Sequence, residues 1–169
     1  MPETSSSHPA PSIEWGLWFQ WVLATTLGWL LGLVILGETG IGLTVGVAQW
    51  LVLRTRLSRT GWWIIASAAG WLLGWAVLVS GLVLPPGTSG LTTVLSGAVL
   101  GLALGLAQWV ALRQMMPQAG WWVFASVAGW TVALTGVLGQ TVVGVVAGAL
   151  TGFMLDFLLR AAPADDNPA

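Results

Sequence analysis

The sequence predicts an all-α integral membrane protein, with six transmembrane helices arranged as three tandem helical hairpins in a pseudo-threefold bundle. Three observations carry this reading. The 169 residues are 56% hydrophobic and 7% charged, with a mean hydropathy of +0.87, whereas a soluble domain carries about 25% charge. The arginines fall only between alternate apolar runs. One residue pattern also recurs three times along the chain.

The elements follow in order. Residues 1–12, MPETSSSHPAPS, are polar and Ser/Pro-rich and lack the basic start of a signal peptide, so they read as a disordered arm. A span needs about 20 apolar residues. Breaks at Arg, Pro and Gly/Thr clusters delimit spans at Trp15–Leu36, Thr39–Arg54, Gly61–Leu84, Gly90–Arg113, Ala119–Leu138 and Thr141–Arg160. The second is the shortest, and without it the count falls to five. Residues 13–161 form a single membrane domain and residues 162–169 a disordered tail.

Charge sets the direction of insertion. Arg54, Arg56 and Arg59 follow span two, Arg113 follows span four and Arg160 ends span six. The opposite loops, around Glu38, Pro85–Ser89 and Gln140, carry no positive charge. The positive-inside rule then places both termini in the cytoplasm; the expected location is a bacterial inner membrane.

The recurring pattern is W-x-x-A-[ST]-x-x-G-W. It aligns Trp21, Ala24, Thr25, Gly28 and Trp29 with Trp63, Ala66, Ser67, Gly70 and Trp71, and with Trp122, Ala125, Ser126, Gly129 and Trp130. The even spans correspond when counted back from their terminal arginines. Gly42 and Gly46 align with Gly101 and Gly105, and with Gly148 and Gly152. GVAQWLVLR and GLAQWVALR share a Gln-Trp pair, which span six replaces with Leu155 and Asp156. The chain thus divides into repeats of about residues 15–57, 58–116 and 117–161, inserted in the same sense.

Each repeated residue type has a physical use. Lipid gives helices no hydrophobic reason to associate, so close packing needs small residues at four-residue spacing. Gly28, Gly70, Gly129 and the even-span glycines supply it, as a glycine-zipper arrangement. Most tryptophans fall near the Arg-bearing ends and read as an interfacial belt, with none expected in the outer half. The deeper Trp29, Trp71 and Trp130 face lipid, pack inside or line a pocket for a flat apolar ligand. Gln49 and Gln108 lie five residues before an arginine, about 7–8 Å below it. Ser67 and Ser126 lie about as deep on the next helix, so Gln–Ser hydrogen bonds are expected across the hairpin junctions; contact of the glutamines with a ligand is the alternative. Asp156 lies one turn before Arg160, which suits an i,i+4 ion pair. Glu14 and Glu38 read as solvated.

Several functions are excluded. A net charge of −1 offers no field for nucleic acid. No cysteine is present and the single histidine, His8, lies in the arm, so no metal and no cofactor is expected. Gly87-Thr88-Ser89-Gly90, with Gly144 and Gly148 further on, resembles the rhomboid intramembrane proteases. That resemblance implies a six-helix core, Ser89 as nucleophile and a histidine opening the sixth span. Thr141 stands near that position and no span holds a histidine, so the resemblance extends to a catalytically dead relative. The size and Trp content are similar to those of the tryptophan-rich sensory proteins, and the size and topology to those of the substrate-capturing subunits of vitamin transporters. The expectation is a non-catalytic membrane module, structural or accessory. Its partners are the bilayer and other membrane proteins met through helix faces. The alternative is a binding protein for a small apolar or aromatic ligand such as a lipid, pigment or vitamin.

Overall fold

The computed structural model describes residues 13–81, 90–135 and 139–162. The arm, most of the tail and Ser89 lie outside them. Within the described residues the chain is all-helical, without strands. The six α-helices are α1 (Trp15–Leu31), α2 (Ile41–Leu53), α3 (Trp62–Val79), α4 (Gly90–Leu112), α5 (Trp121–Leu134) and α6 (Val143–Ala161).

Four of the helical segments are long and apolar enough to cross a membrane: Trp15–Leu36, Trp62–Val79, Gly90–Leu112 and Val143–Ala161. Glu38–Leu53 and Trp121–Leu134 are apolar but shorter. The first segment reaches Leu36 because α1 runs into a π-helical turn, Gly32–Leu36. Such turns widen a helix locally. Here the chain must reverse at once: Gly37, at φ 70°, turns it into a 3₁₀ turn, Glu38–Gly40, that feeds α2. Gly139, at φ 83°, does the same before Gln140–Val142 and α6. Both positions need the left-handed backbone that glycine adopts without strain.

The opposite corners also share a shape. After α2, the Leu57 N–H returns to the Leu53 carbonyl and Trp63 N–H to Thr60; after α4, Met116 returns to Leu112 and Trp122 to Ala119. These corners carry Arg54, Arg56, Arg59 and Arg113, and Arg160 lies near them at the end of α6.

Each helix packs on its neighbours in sequence, and α6 returns to α1, closing a ring. Glycines set the approach. A Cβ on Gly28 would lie 2.6 Å from Val45 Cα on α2, and one on Gly70 2.8 Å from Leu104 Cα on α4. On the other flank, Gly42 and Gly46 meet Trp71 and Ser67 of α3, while Gly101 and Gly105 meet Ser126 and its neighbours on α5. Gly144 and Gly148 meet Thr26, Thr25 and Val22 of α1, and Gly152 meets the Trp18 and Trp21 rings. Gly129 is the looser member, with its nearest atoms on α6 at 3.4–3.6 Å.

The interior has two layers. One, at the Arg-bearing end, groups Trp21, Trp63 and Trp122 with Leu17, Leu112, Leu155 and others. The second groups Trp29, Trp71 and Trp130 with Ile41, Leu100, Val143 and others. The outside is apolar as well, with Leu27, Leu73, Leu102, Phe124 and Phe157 exposed. An apolar surface on this scale marks contact with lipid or with other proteins.

Candidate functional site

The odd helices α1, α3 and α5 each send two indoles into the middle of the ring. Trp21, Trp63 and Trp122 meet with ring centroids 5.4–5.9 Å apart. Eight residues further along each helix, Trp29, Trp71 and Trp130 meet at the same separations. Eight residues of helix rise about 12 Å, so the trios stack as two storeys. Most of these contacts are edge-on, the arrangement that the ring quadrupole favours.

The interfacial-belt expectation needs correction here. Trp21, Trp63 and Trp122 are at most 1% exposed, whereas Trp15, Trp62 and Trp121 are 55–69% exposed. Adjacent residues on a helix point about 100° apart. The doubled tryptophans opening α3 and α5 therefore place one ring outward and the next inward. The expected absence of tryptophan from the Arg-free half is corrected too. Trp71 Nε1 donates to the Glu38 carbonyl at 2.7 Å, so the second trio reaches the Arg-free turn. Of the three orientations open to Trp29, Trp71 and Trp130, all three rings pack together in the interior, and Trp29 and Trp71 also border a cavity.

A chain of polar contacts supports the trio at the Arg-bearing end. Trp63 Nε1 donates to Gln49 Oε1 at 3.2 Å, and Gln49 Nε2 donates to Thr25 Oγ1 at 3.0 Å. Trp122 Nε1 donates to Gln108 Oε1 at 2.9 Å, and Gln108 Nε2 to Ser67 Oγ at 2.8 Å. The Gln49–Ser67 and Gln108–Ser126 pairs expected from depth are thus replaced. Each amide nitrogen reaches back to the preceding odd helix, and each amide oxygen receives an indole from the following one.

The third position breaks the scheme. Leu155 stands where a glutamine would complete it. Trp21 Nε1 instead donates to Thr151 Oγ1 at 3.0 Å, one turn away on α6. Ser126 Oγ, which a third amide would have met, is buried without a hydrogen-bond partner among the described residues.

Asp156 shows the same divergence. Trp50 and Trp109 lie one turn before Arg54 and Arg113, and those guanidiniums stack over the rings at 4.9 and 5.2 Å. Asp156 holds the matching place on α6 and forms an ion pair with Arg160. Its Oδ1 also accepts the Glu14 backbone N–H at 3.2 Å, tying the end of α6 to the start of α1. Glu14, expected to be solvated, is exposed but bonded through both carboxylate oxygens to Arg56. The Arg56 hydrogen bond holds the Glu14 carboxyl below its usual range.

At the Arg-free end a cavity of about 480 Å³ opens beside the upper trio. Trp29, Trp71 and Trp75 line it, with Glu38, Thr93 and Ser96 among the polar groups. It offers aromatic faces, a carboxylate and hydroxyls. Among the described residues no three His, Cys, Asp or Glu side chains gather to hold a metal ion.

Sequence reading missed Thr25 and Thr151 as hydrogen-bond partners and Trp21, Trp63 and Trp122 as core. For the tryptophans the available signal was their strict recurrence at one place in the repeated pattern, and for Thr25 its alignment with Ser67 and Ser126; Thr151 stands where the other even helices carry Val45 and Leu104, so nothing in the pattern marked it. No family model matches this chain, and neither curated proteins nor solved structures contain a significant match to it.

Proposed function

We propose that the chain is an integral membrane protein of the bacterial inner membrane that crosses the bilayer six times as three tandem hairpins. Both ends lie on the cytoplasmic side and the glycine stripes act as a zipper between helices. Its role is non-catalytic, that of a compact structural or accessory module that meets partner membrane proteins through its helix faces. The observation carrying this reading is the pair of stacked tryptophan trios. They fill the middle of the ring with one equivalent ring from each odd helix, which suits a packing module better than a conduit. The apolar perimeter supports the bilayer as its surroundings.

A second reading, binding of a small apolar or aromatic ligand, is supported by the 480 Å³ cavity with its tryptophan wall. Native mass spectrometry of the protein purified in mild detergent tests both. A stoichiometric membrane-protein partner is expected on the first reading. A stoichiometric small molecule, lost on Trp75→Ala, supports the second, and a bare monomer overturns the module.

A further inference from the structure

On the lipid-facing flank of the α3–α4 pair runs a groove of about 750 Å³. Its floor is built from small residues on both helices, Ala66 and Ala69 facing Ala107 and Ala111, and Trp62 and Ile65 stand along it. Trp62 and Ile65 are 69% and 56% exposed, so the groove opens away from the core. Arg59 and Gln114 sit at its Arg-bearing mouth.

Arg59 is the distinctive feature. Arg54 and Arg113 stack on tryptophans, and Arg56 and Arg160 pair with carboxylates. Arg59 is exposed and makes neither kind of contact among the described residues. A fixed cation above an apolar trough, at the depth of the headgroups, complements an anionic amphiphile. The α5–α6 pair provides an internal contrast. Gln118 stands in the place of Arg59, and Met154 and Leu158 in the places of Ala107 and Ala111.

We infer that the α3–α4 groove is a binding site for one anionic phospholipid of the cytoplasmic leaflet, its acyl chain along the alanine floor and its phosphate on Arg59. This rests on the membrane reading above. Basic pockets between helices on the cytoplasmic side are suited to such headgroups, and one arginine near the membrane surface contributes about a fivefold preference.

The test uses full-length protein, delipidated in neutral detergent and titrated with phosphatidylglycerol or phosphatidylcholine of identical chains. Bound lipid is counted by native mass spectrometry. Wild type is expected to retain one phosphatidylglycerol, about fivefold in preference to phosphatidylcholine. Arg59→Gln abolishes the preference, and Arg54→Gln leaves it in place. Ala69→Leu, at an exposed position on the floor, lowers binding of both lipids; helical circular dichroism confirms that each variant folds. Equal binding of the two lipids to wild type overturns the site, as does an equal loss in Arg59→Gln and Arg54→Gln. Flotation with neutral vesicles is read separately. A chain that fails to float refutes the membrane reading itself, whereas one that floats without lipid preference refutes only the groove.

Discussion

Gln108 joins three helices with one side chain: its amide oxygen holds the Trp122 indole and its nitrogen the Ser67 hydroxyl. Replacement by leucine leaves a buried indole N–H without its partner. Gln108→Leu is expected to lower stability by about 1–2 kcal/mol, read from thermal unfolding in detergent. An unchanged midpoint would mean that the network contributes nothing. The two equivalent serines should behave differently. Ser67→Ala removes the acceptor of Gln108 and costs about 1 kcal/mol. Ser126→Ala deletes a hydroxyl that has no partner and shifts stability by less than about 0.5 kcal/mol. The glutamines were legible as buried polar groups, but their partners were not. Counting along a helix fixes depth. Ser67 and Ser126 lie at similar depth on the two flanking helices, and only azimuth, which depends on the packed ring, chooses between them.

Small residues at four-residue spacing were legible as contact stripes, yet spacing does not say how tightly each contact closes. Gly101 is the close case. A Cβ there would lie 2.6 Å from the Ser126 carbonyl oxygen and 2.8 Å from Val127 Cα, both backbone. Gly101→Ala must push α4 from α5 and is expected to cost about 1–3 kcal/mol. At Gly129 the nearest atoms lie at ordinary contact distance, so alanine fits and its better helix propensity offsets any strain. Gly129→Ala is expected to be neutral or to stabilise by up to about 1 kcal/mol. A common denaturation series on the two variants checks the pair; equal losses would refute the difference in approach. Helix positions followed from apolar runs and their interruptions. Their ends were less legible: nothing in the apolar run marks the π-helical turn at Gly32–Leu36, which lies just beyond the point where Thr44 Oγ1 donates to the Gly28 carbonyl at 2.7 Å.

The proposed orientation of the ring in a membrane rests on one asymmetry of charge, and two measurements belong to the scale of the whole molecule. The chain is free of cysteine, so any introduced thiol is unique. Ser58→Cys and Gln118→Cys are expected to label from the cytoplasmic side, and Thr39→Cys from the opposite side, with an impermeant maleimide. Labelling of all three from one face would refute the six-span topology. The second measurement concerns the Glu14–Arg56 link. The Arg56 hydrogen bond lowers the folded pKa of Glu14 below its reference value of 4.5. Its stabilising contribution is therefore complete above that value and fades as pH falls through the folded pKa. Acidification from about pH 6 to about pH 3 should destabilise wild type more than Arg56→Gln, and an identical slope would show that the exposed link is energetically silent. The recurrence of the tryptophans was legible in the letters, and the structure gathers them into two trios, whereas the departure on α6 was legible only as a letter. Leu155 and Asp156 read as substitutions in sequence; in the structure Leu155 is buried in the tryptophan layer at the Arg-bearing end and Asp156 marks the seam where the end of α6 meets the start of α1. Because Asp156 accepts the Glu14 backbone N–H across that seam, the two extremities of the helical ring are already neighbours. A circularly permuted chain, spliced there by a short linker and reopened between Arg56 and Gly61, would preserve every helix-to-helix boundary. Such a permutant is expected to fold, and its failure would show that the order of synthesis, and not only the closed set of boundaries, governs how this barrel of helices assembles.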